Sequence, residues 1–209
     1  LSPQIKSSCR IYRRLCLMRV VCLISGDGSN LQALIDAQAE NALGAAKLVA
    51  VLSNRADAHG LLRAQTAGIV TEVVPHQDFA SRNDFDQALS ARIESYQPDL
   101  VVLAGFMRIL SAEFVATYHE RLINIHPSLL PKYKGLNTHQ RAIDAGDSIA
   151  GATVHWVTDA LDSGGIIRQT EVPILPDDTA DTLKARVLAA EHALYPAVIR
   201  DLSLGVLYA

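Results

Sequence analysis

The residues RVVCLISGDGSN, at positions 19–30, are the clearest indication of the fold of this chain. The first seven residues form a nearly continuous apolar run, as expected of a parallel strand that is buried on both faces of a sheet. A glycine-rich turn follows at residues 25–30, and residues 31–39 continue as a predicted helix. A buried strand, a tight turn and a helix make up the first half of a β-α-β unit, so this stretch predicts a parallel α/β sheet.

The same alternation continues along the rest of the chain, without an internal repeat or a linker that would divide it. We therefore predict one α/β domain, Rossmann-like, with a mostly parallel central sheet and helices on both faces. Residues 205–208, after the last helix, have a strand-like composition. The predicted strands are 19–25, 47–53, 71–74, 99–104, 121–125, 152–157 and 166–172, and the predicted helices are 31–39, 58–67, 82–96, 111–118, 138–145 and 179–199.

Composition restricts the possible partners. The chain has 209 residues, 49% of them hydrophobic, a net charge of −3 and no apolar run long enough to cross a bilayer. These values argue against nucleic acid and membrane partners, so we expect small-molecule substrates. For the assembly we expect a monomer or weak homodimer. Cys9, Cys16 and Cys22 lack metal-ligand spacing and indicate reduced thiols in the cytoplasm.

The N-terminal segment differs from the rest of the chain. Residues 1–17 contain basic residues and serines but no acid, as in an organelle transit segment. The first residue is Leu1 rather than Met, and Met18 stands directly before the first strand. We expect residues 1–17 to be a leader or a vector-derived segment outside the fold, and residues 18–209 to form the domain; organelle targeting by this segment stays open.

The strongest candidate site is the stretch NIHPSLLP, residues 124–131, where a predicted strand ends. Strand periodicity places Asn124 and His126 on the same side, and Pro127 ends the ladder. Together an amide and an imidazole can hold the oxygen of a carbonyl that becomes tetrahedral during acyl transfer. The downstream Asp162 could orient the imidazole or take up a proton. The alternative is a structural histidine that caps a turn, together with an ordinary loop aspartate.

The glycine-rich turn is a candidate anion site, because the free N–H groups at a helix start favour an anion. It is not a dinucleotide-binding fingerprint, since the third glycine would fall at Leu31, and it has no Walker lysine. A monophosphate cradle formed by Gly28, Ser29 and Asn30 remains, with side-chain donors from Ser29 and Asn30. The alternative is a plain turn with Ser29 or Asn30 as helix cap.

Two further positions have open interpretations. Glu191 lies inside the apolar stripe of the last helix, so its carboxylate needs a partner. That partner could be a sugar hydroxyl, a buried arginine or a backbone N–H. Phe106 and Met107 follow a buried strand and belong either to the core or to an apolar ligand pocket.

Three separated motifs carry a family resemblance: GDGSN at 26–30, LAGFMRIL at 103–110, and NIHPSLLP at 124–131 followed by Asp162. Together they resemble the folate-dependent formyltransferases, from about Met18 to the C-terminus. The resemblance implies the formyltransferase fold and 10-formyltetrahydrofolate as formyl donor. We expect no metal, because the seven histidines show no HExxH motif and no His/Cys clustering. It also implies transfer of the formyl group to the amine of glycinamide ribonucleotide in de novo purine biosynthesis.

The resemblance assigns roles residue by residue. Its one departure is Ser163, where relatives often carry Gly or Ala. By similarity the catalytic residues are Asn124, His126 and Asp162. The substrate phosphate is bound by Gly28, Ser29 and Asn30, and the ribose by Glu191. The folate is bound by Asn124 and Asp162 together with Arg82, Met107, Arg108, Ile109, Leu110, Thr158, Asp159, Ala160 and Leu161.

Two other functions remain compatible with these residues. A formyltetrahydrofolate hydrolase would share the Asn, His and Asp site and use water as acceptor, but would not need a phosphate cradle. A phosphosugar-binding module would use the turn at residues 28–30 and have an inert cleft. A methionyl-tRNA formyltransferase is disfavoured, because it would need a further basic domain for tRNA.

Overall fold

Strand β1 (Met18–Ile24) lies inside a seven-stranded sheet with the order β3-β2-β1-β4-β5-β6-β7. This computed structural model describes residues 17–207. The other strands are β2 (Ala46–Ser53), β3 (Val70–Val73), β4 (Leu100–Leu103), β5 (Leu122–His126), β6 (Ile149–Trp156) and β7 (Ile166–Pro173). The helices are α1 (Ser29–Ala39), α2 (His59–Thr66), α3 (Arg82–Glu94), α4 (Ala112–Thr117), α5 (Thr138–Asp144) and α6 (Ala180–Ser203).

The strand directions confirm the predicted, mostly parallel sheet. Strands β3, β2, β1, β4 and β5 are parallel, whereas β6 is antiparallel to β5 and β7 is antiparallel to β6. The order reverses at β1, whose neighbours are β2 and β4. In open α/β sheets the crevice beyond the carboxyl ends of the strands at such a reversal is the usual ligand site.

The sheet separates two hydrophobic cores, and β1 contributes to both. Val20, Cys22 and Ile24 face one core, in which α1 and α6 pack, while Val21 and Leu23 face the other, in which α3 and α4 pack. A strand covered on both faces has no polar side, which explains the continuous apolar run in the sequence. The prediction of helices on both faces is thereby confirmed.

The end of α6 corrects one prediction. Residues 205–207 do not form a strand: α6 continues to Ser203, and Gly205 adopts a φ of +67°. The N–H groups of Val206 and Leu207 donate to the carbonyl oxygen of Asp201 at 2.9 and 3.3 Å. Carbonyls in the last turn of a helix need such donors, so the chain folds back on the helix instead of extending. Residues 208 and 209 lie outside the described range.

The prediction for residues 1–17 falls almost entirely outside the described residues, as do Cys9 and Cys16, and it stays a prediction. Cys22 is a free, buried cysteine in β1, and burial raises the pKa of its thiol to about 12. Within residues 17–207, none of the helices combines the length and apolarity needed to span a membrane.

Candidate active site

The end of β5 brings the three predicted catalytic side chains together. Asn124 and His126 lie in the last three residues of β5, and Asp162 lies in the loop between β6 and β7. The distance from His126 Nδ1 to Asp162 Oδ2 is 3.5 Å, with both side chains less than 10% exposed (7% and 8%). A histidine that only caps the following turn would not require a carboxylate from another loop beside it, so the catalytic role of this trio stays a prediction.

The hydrogen bonds of His126 define which ring nitrogen carries a proton. Nε2 lies 2.9 Å from the carbonyl oxygen of Tyr133, and a carbonyl can only accept, so Nε2 is the protonated nitrogen. Nδ1 therefore faces the carboxylate of Asp162. The ring nitrogen that has a lone pair in this tautomer therefore lies 3.5 Å from a carboxylate oxygen of Asp162.

Asp162 itself is held by the backbone of another segment. Its Oδ2 accepts a hydrogen bond of 2.9 Å from the Gly135 N–H. Its own φ is +46°, a left-handed conformation that a non-glycine residue adopts at a steric cost. Strained positions of this kind cluster at functional sites, where surrounding contacts hold them in place.

His155 completes the site, and the sequence reasoning missed it. It lies on β6 directly opposite Asn124 of β5. Its Nδ1–H donates to the carbonyl oxygen of Trp156 at 2.8 Å, so the lone pair on Nε2 can accept from the Asn124 amide at 3.3 Å. Burial lowers the pKa of His155, which keeps the ring neutral and able to accept. His155 thereby orients Asn124 and leaves the second amide N–H of Asn124 for a ligand.

The glycine-rich turn is built around Gly28, which has a φ of +76° and occupies the N-cap position of α1. A Cβ at this position would lie 2.7 Å from the Cα of Gly60, at the start of α2. Only glycine fits so close to another backbone. No side chain caps α1, so the interpretation of Ser29 or Asn30 as helix cap is wrong and the first-turn N–H groups have no side-chain cap.

The Asn30 side chain has a different partner from the one predicted. Its amide Nδ2–H donates to Glu191 Oε2 at 2.8 Å, which commits this donor to α6 and not to an anion in the turn. The same contact answers which group Glu191 pairs with in the protein: it is Asn30, and not a buried arginine. Burial raises the pKa of the Glu191 carboxyl to about 7, although the hydrogen bond from Asn30 opposes this rise.

The raised pKa of Glu191 predicts a pH-dependent cost to stability. The carboxyl has a pKa of 4.5 in the unfolded chain and about 7 in the folded protein. Between these two pH values the folded protein binds more protons than the unfolded chain, so stability falls as pH rises through this window. A shift of this size corresponds to about 3 kcal/mol. Glu191→Gln keeps the acceptor for Asn30 and removes the titration, so its stability relative to the wild type should increase with pH. Urea denaturation of both proteins at about pH 5 and about pH 8 measures this; a pH-independent difference would contradict the prediction.

The candidate folate residues lie mostly at the surface. Met107 and Ile109 are 70% and 62% exposed, while Phe106 and Leu110 are buried, so Phe106 belongs to the core and Met107 does not. The Met107 N–H donates to the Ser25 hydroxyl at 2.7 Å, which ties this segment to the end of β1. Arg82, Arg108 and residues 158–161 are exposed as well.

The sheet places this apolar segment beside the catalytic side chains. Leu103, the last residue of β4, pairs with Asn124 of β5, so the segment at residues 104–110 starts next to the trio. Two exposed apolar side chains beside a buried polar cluster form the kind of surface that binds a flat apolar ring with a few polar contacts. Within residues 17–207, no group of three or more His, Cys, Asp or Glu residues is placed to hold a metal ion.

A comparison with known families identifies the class of protein. Residues 18–199 match the family described as formyl transferase, so the chain belongs to the formyl transferase family. It is similar to the phosphoribosylglycinamide formyltransferase of Escherichia coli (strain K12), with 54% identity over 182 residues that cover 87% of this chain and 85% of the relative. It is also 50% identical over 188 residues to the trifunctional purine biosynthetic protein adenosine-3 of Drosophila melanogaster, of which it spans 14%.

Solved structures give the same result. The phosphoribosylglycinamide formyltransferase of Coxiella burnetii superposes with a TM-score of 0.86 at 53% identity, covering 90% of this chain and 88% of that one. The glycinamide ribonucleotide transformylase 1 of Symbiobacterium toebii superposes with a TM-score of 0.90 at 41% identity, covering 95% and 93%. The formyltransferase fold expected from the three sequence motifs is thus confirmed.

Proposed function

We propose that this enzyme transfers the formyl group of 10-formyltetrahydrofolate to the amine of glycinamide ribonucleotide in de novo purine biosynthesis. The observation that carries the proposal is the convergence of Asn124, His126 and Asp162 at the end of β5. Its similarity to phosphoribosylglycinamide formyltransferases over most of both chains supports this choice of substrates. All of these side chains come from one chain, so a monomer or weak homodimer would suffice for activity. We expect the enzyme to act in the cytoplasm.

The acceptor nucleotide binds at the turn between β1 and α1 in this proposal. The N–H groups of Ser29 and Asn30, at the N-terminus of α1, hold the phosphate, because helix N-termini attract anions. Glu191 accepts hydrogen bonds from the ribose hydroxyls, and Asn30 orients its carboxyl group. The positive φ of Gly28 gives the backbone room to approach the phosphate.

The folate donor binds on the other side of the trio. Met107 and Ile109 offer apolar contact to its ring system, with Leu110 behind them in the core. Main-chain groups of Arg108 and of residues 158–161 provide hydrogen bonds, and the exposed Arg82 pairs with a carboxylate of the folate tail. The formyl group then lies between Asn124 and Asp162.

The chemistry is an acyl transfer without a covalent enzyme intermediate. The neutral amine, whose pKa is near 8 like that of an α-amino group, attacks the formyl carbon on folate N10. Asn124 donates its free amide N–H to the oxygen that becomes negative, and the positive charge that His126 gains with the amine proton stabilises the same oxygen. Asp162 and His126 Nδ1 receive the proton lost by the amine and deliver it to N10 as the carbon–nitrogen bond breaks, so the proton balance closes.

A direct assay tests the proposal. Purified protein with 10-formyltetrahydrofolate and glycinamide ribonucleotide should produce one formylated ribonucleotide for each folate consumed. An acceptor without its phosphate should show a KM higher by at least about tenfold, since the turn loses its charge-assisted hydrogen bonds. Folate deformylation that proceeds equally fast without ribonucleotide would instead identify a hydrolase.

A further inference from the structure

The segment Pro131 to Asn137, here called the β5–α5 connection, holds both proton-handling side chains through its backbone. The carbonyl of Tyr133 accepts from His126 Nε2–H at 2.9 Å, and the Gly135 N–H donates to Asp162 at 2.9 Å. Two main-chain groups only two residues apart therefore orient the imidazole and the carboxylate. Whatever fixes the backbone of this connection also fixes the geometry of the pair.

The backbone of the β5–α5 connection needs outside support. Tyr133 and Asn137 have φ values of +54° and +57°, and Gly135 has a φ of +77°. Non-glycine residues adopt this left-handed conformation only against a steric penalty, so contacts with the surrounding structure must stabilise it.

Asp147, in the turn before β6, provides such support through a single carboxylate. Its Oδ2 accepts from the Tyr133 hydroxyl at 2.8 Å, and Lys132 Nζ lies 2.9 Å from each of its two oxygens. The hydrogen bonds from Lys132 and then Tyr133 lower the pKa of Asp147, so its carboxylate remains ionised to a more acidic pH than an isolated aspartate. Arg141 supports the connection separately, by donating to the Lys134 carbonyl at 2.7 Å and covering the Tyr133 ring.

We propose that Asp147 is a positioning residue: by holding Lys132 and Tyr133, it keeps the Tyr133 carbonyl on His126. This contact selects the Nε2–H tautomer of His126 and leaves Nδ1 free to accept a proton beside Asp162. If the carbonyl moves, the neutral ring can place its proton on Nδ1 and donate to Asp162, so Nδ1 no longer accepts. This inference deepens the proposed formyl transfer and rests on it.

Two variants remove the support in different degrees. Asp147→Asn abolishes the ion pair with Lys132, and Tyr133→Phe removes one hydroxyl while the carbonyl and ring remain. In both, we expect part of His126 to shift to the Nδ1–H tautomer and kcat to fall, by about tenfold in Asp147→Asn, which matches the net free energy of one lost hydrogen bond to a charged group. KM for glycinamide ribonucleotide should stay within about twofold, because the phosphate turn is untouched.

The tautomer is measured directly by long-range 1H–15N NMR of histidine-labelled protein in alkaline buffer, where imidazoles are neutral. The His126 signal is assigned from its absence in His126→Asn.

The double variant should lose less activity than the product of the two single effects, since both act through the same contact. Asp147→Glu should recover part of kcat, and Asp57→Asn, which breaks an exposed pair with Arg55, should change neither readout.

Either an unchanged tautomer or an unchanged kcat in both variants would overturn the proposal, even if thermal stability falls. If Asp147→Asn does not fold, Tyr133→Phe carries the test alone, because it deletes a single oxygen atom. A wild-type protein that transfers no formyl group would contradict the proposed function instead, and the tautomer would then decide this inference by itself.

Discussion

Asp162→Asn is expected to slow formyl transfer by about 10³-fold, within the usual range for the loss of a general acid–base group. The amide has the same shape and can still accept from the Gly135 N–H, so the loop between β6 and β7 should stay in place. It cannot take up the proton that the amine loses, which is the role proposed for the pair of Asp162 and His126. Single-turnover and steady-state measurements of kcat with both substrates provide the test.

Binding of glycinamide ribonucleotide separates this prediction from a loss of structure. Its Kd, measured by calorimetry, should change by less than about twofold in Asp162→Asn, because the turn at Gly28 is not touched. Glu171→Gln, at an exposed carboxyl on β7, serves as the matched control and should retain full activity. If Asp162→Asn kept nearly all of its kcat, the proposed proton transfer would be wrong.

Asn124→Leu is expected to reduce kcat by about 10²-fold or more, the usual effect of removing one donor to a developing oxyanion. Leucine has the same branching as asparagine, although it is larger, and it cannot donate, either to the formyl oxygen or to His155 Nε2. Because the donor acts mainly on charge that appears in the transition state, kcat should fall much more than KM rises. Steady-state kinetics with each substrate varied in turn measure the two effects separately.

A double variant that combines Asn124→Leu with Asp162→Asn tests whether the two side chains act on the same transition state. The two side chains serve the same transition state, so the double variant should lose less activity than the product of the single losses. A higher KM with unchanged kcat in Asn124→Leu would show that Asn124 binds the ground state and would contradict its role at the oxyanion.

Most of the fold could be predicted from the sequence, because apolar periodicity and turn residues are local signals. The helix predicted at residues 82–96 is observed at Arg82–Glu94, and the strand predicted at 47–53 at Ala46–Ser53. The prediction of a strand after the last helix failed at residues 205–207, where the composition is strand-like but the chain is not extended. There the carbonyl of Asp201 in α6 accepts hydrogen bonds from the N–H groups of Val206 and Leu207, a requirement that composition does not express.

The candidate site was predictable in part. Asn124 and His126 share one side of a strand, which periodicity alone indicates, and Glu191 stood out as a carboxylate on an apolar helix face. His155 was missed, although it is a histidine inside an otherwise buried apolar strand. Its meaning depends on which residue lies opposite on the neighbouring strand, and here that residue is Asn124.

Neighbours along the chain suffice to specify the succession of strands and helices, the glycine-rich turn and the types of residue at the strand ends. The tertiary structure alone decided the partners: Asn30 with Glu191, Asn124 with His155, and His126 between Tyr133 and Asp162. These contacts join residues as far as 161 positions apart. Their geometry follows from strand pairing and helix packing, which set the distance and direction of each donor and acceptor and therefore the tautomers and pKa values on which the chemistry depends.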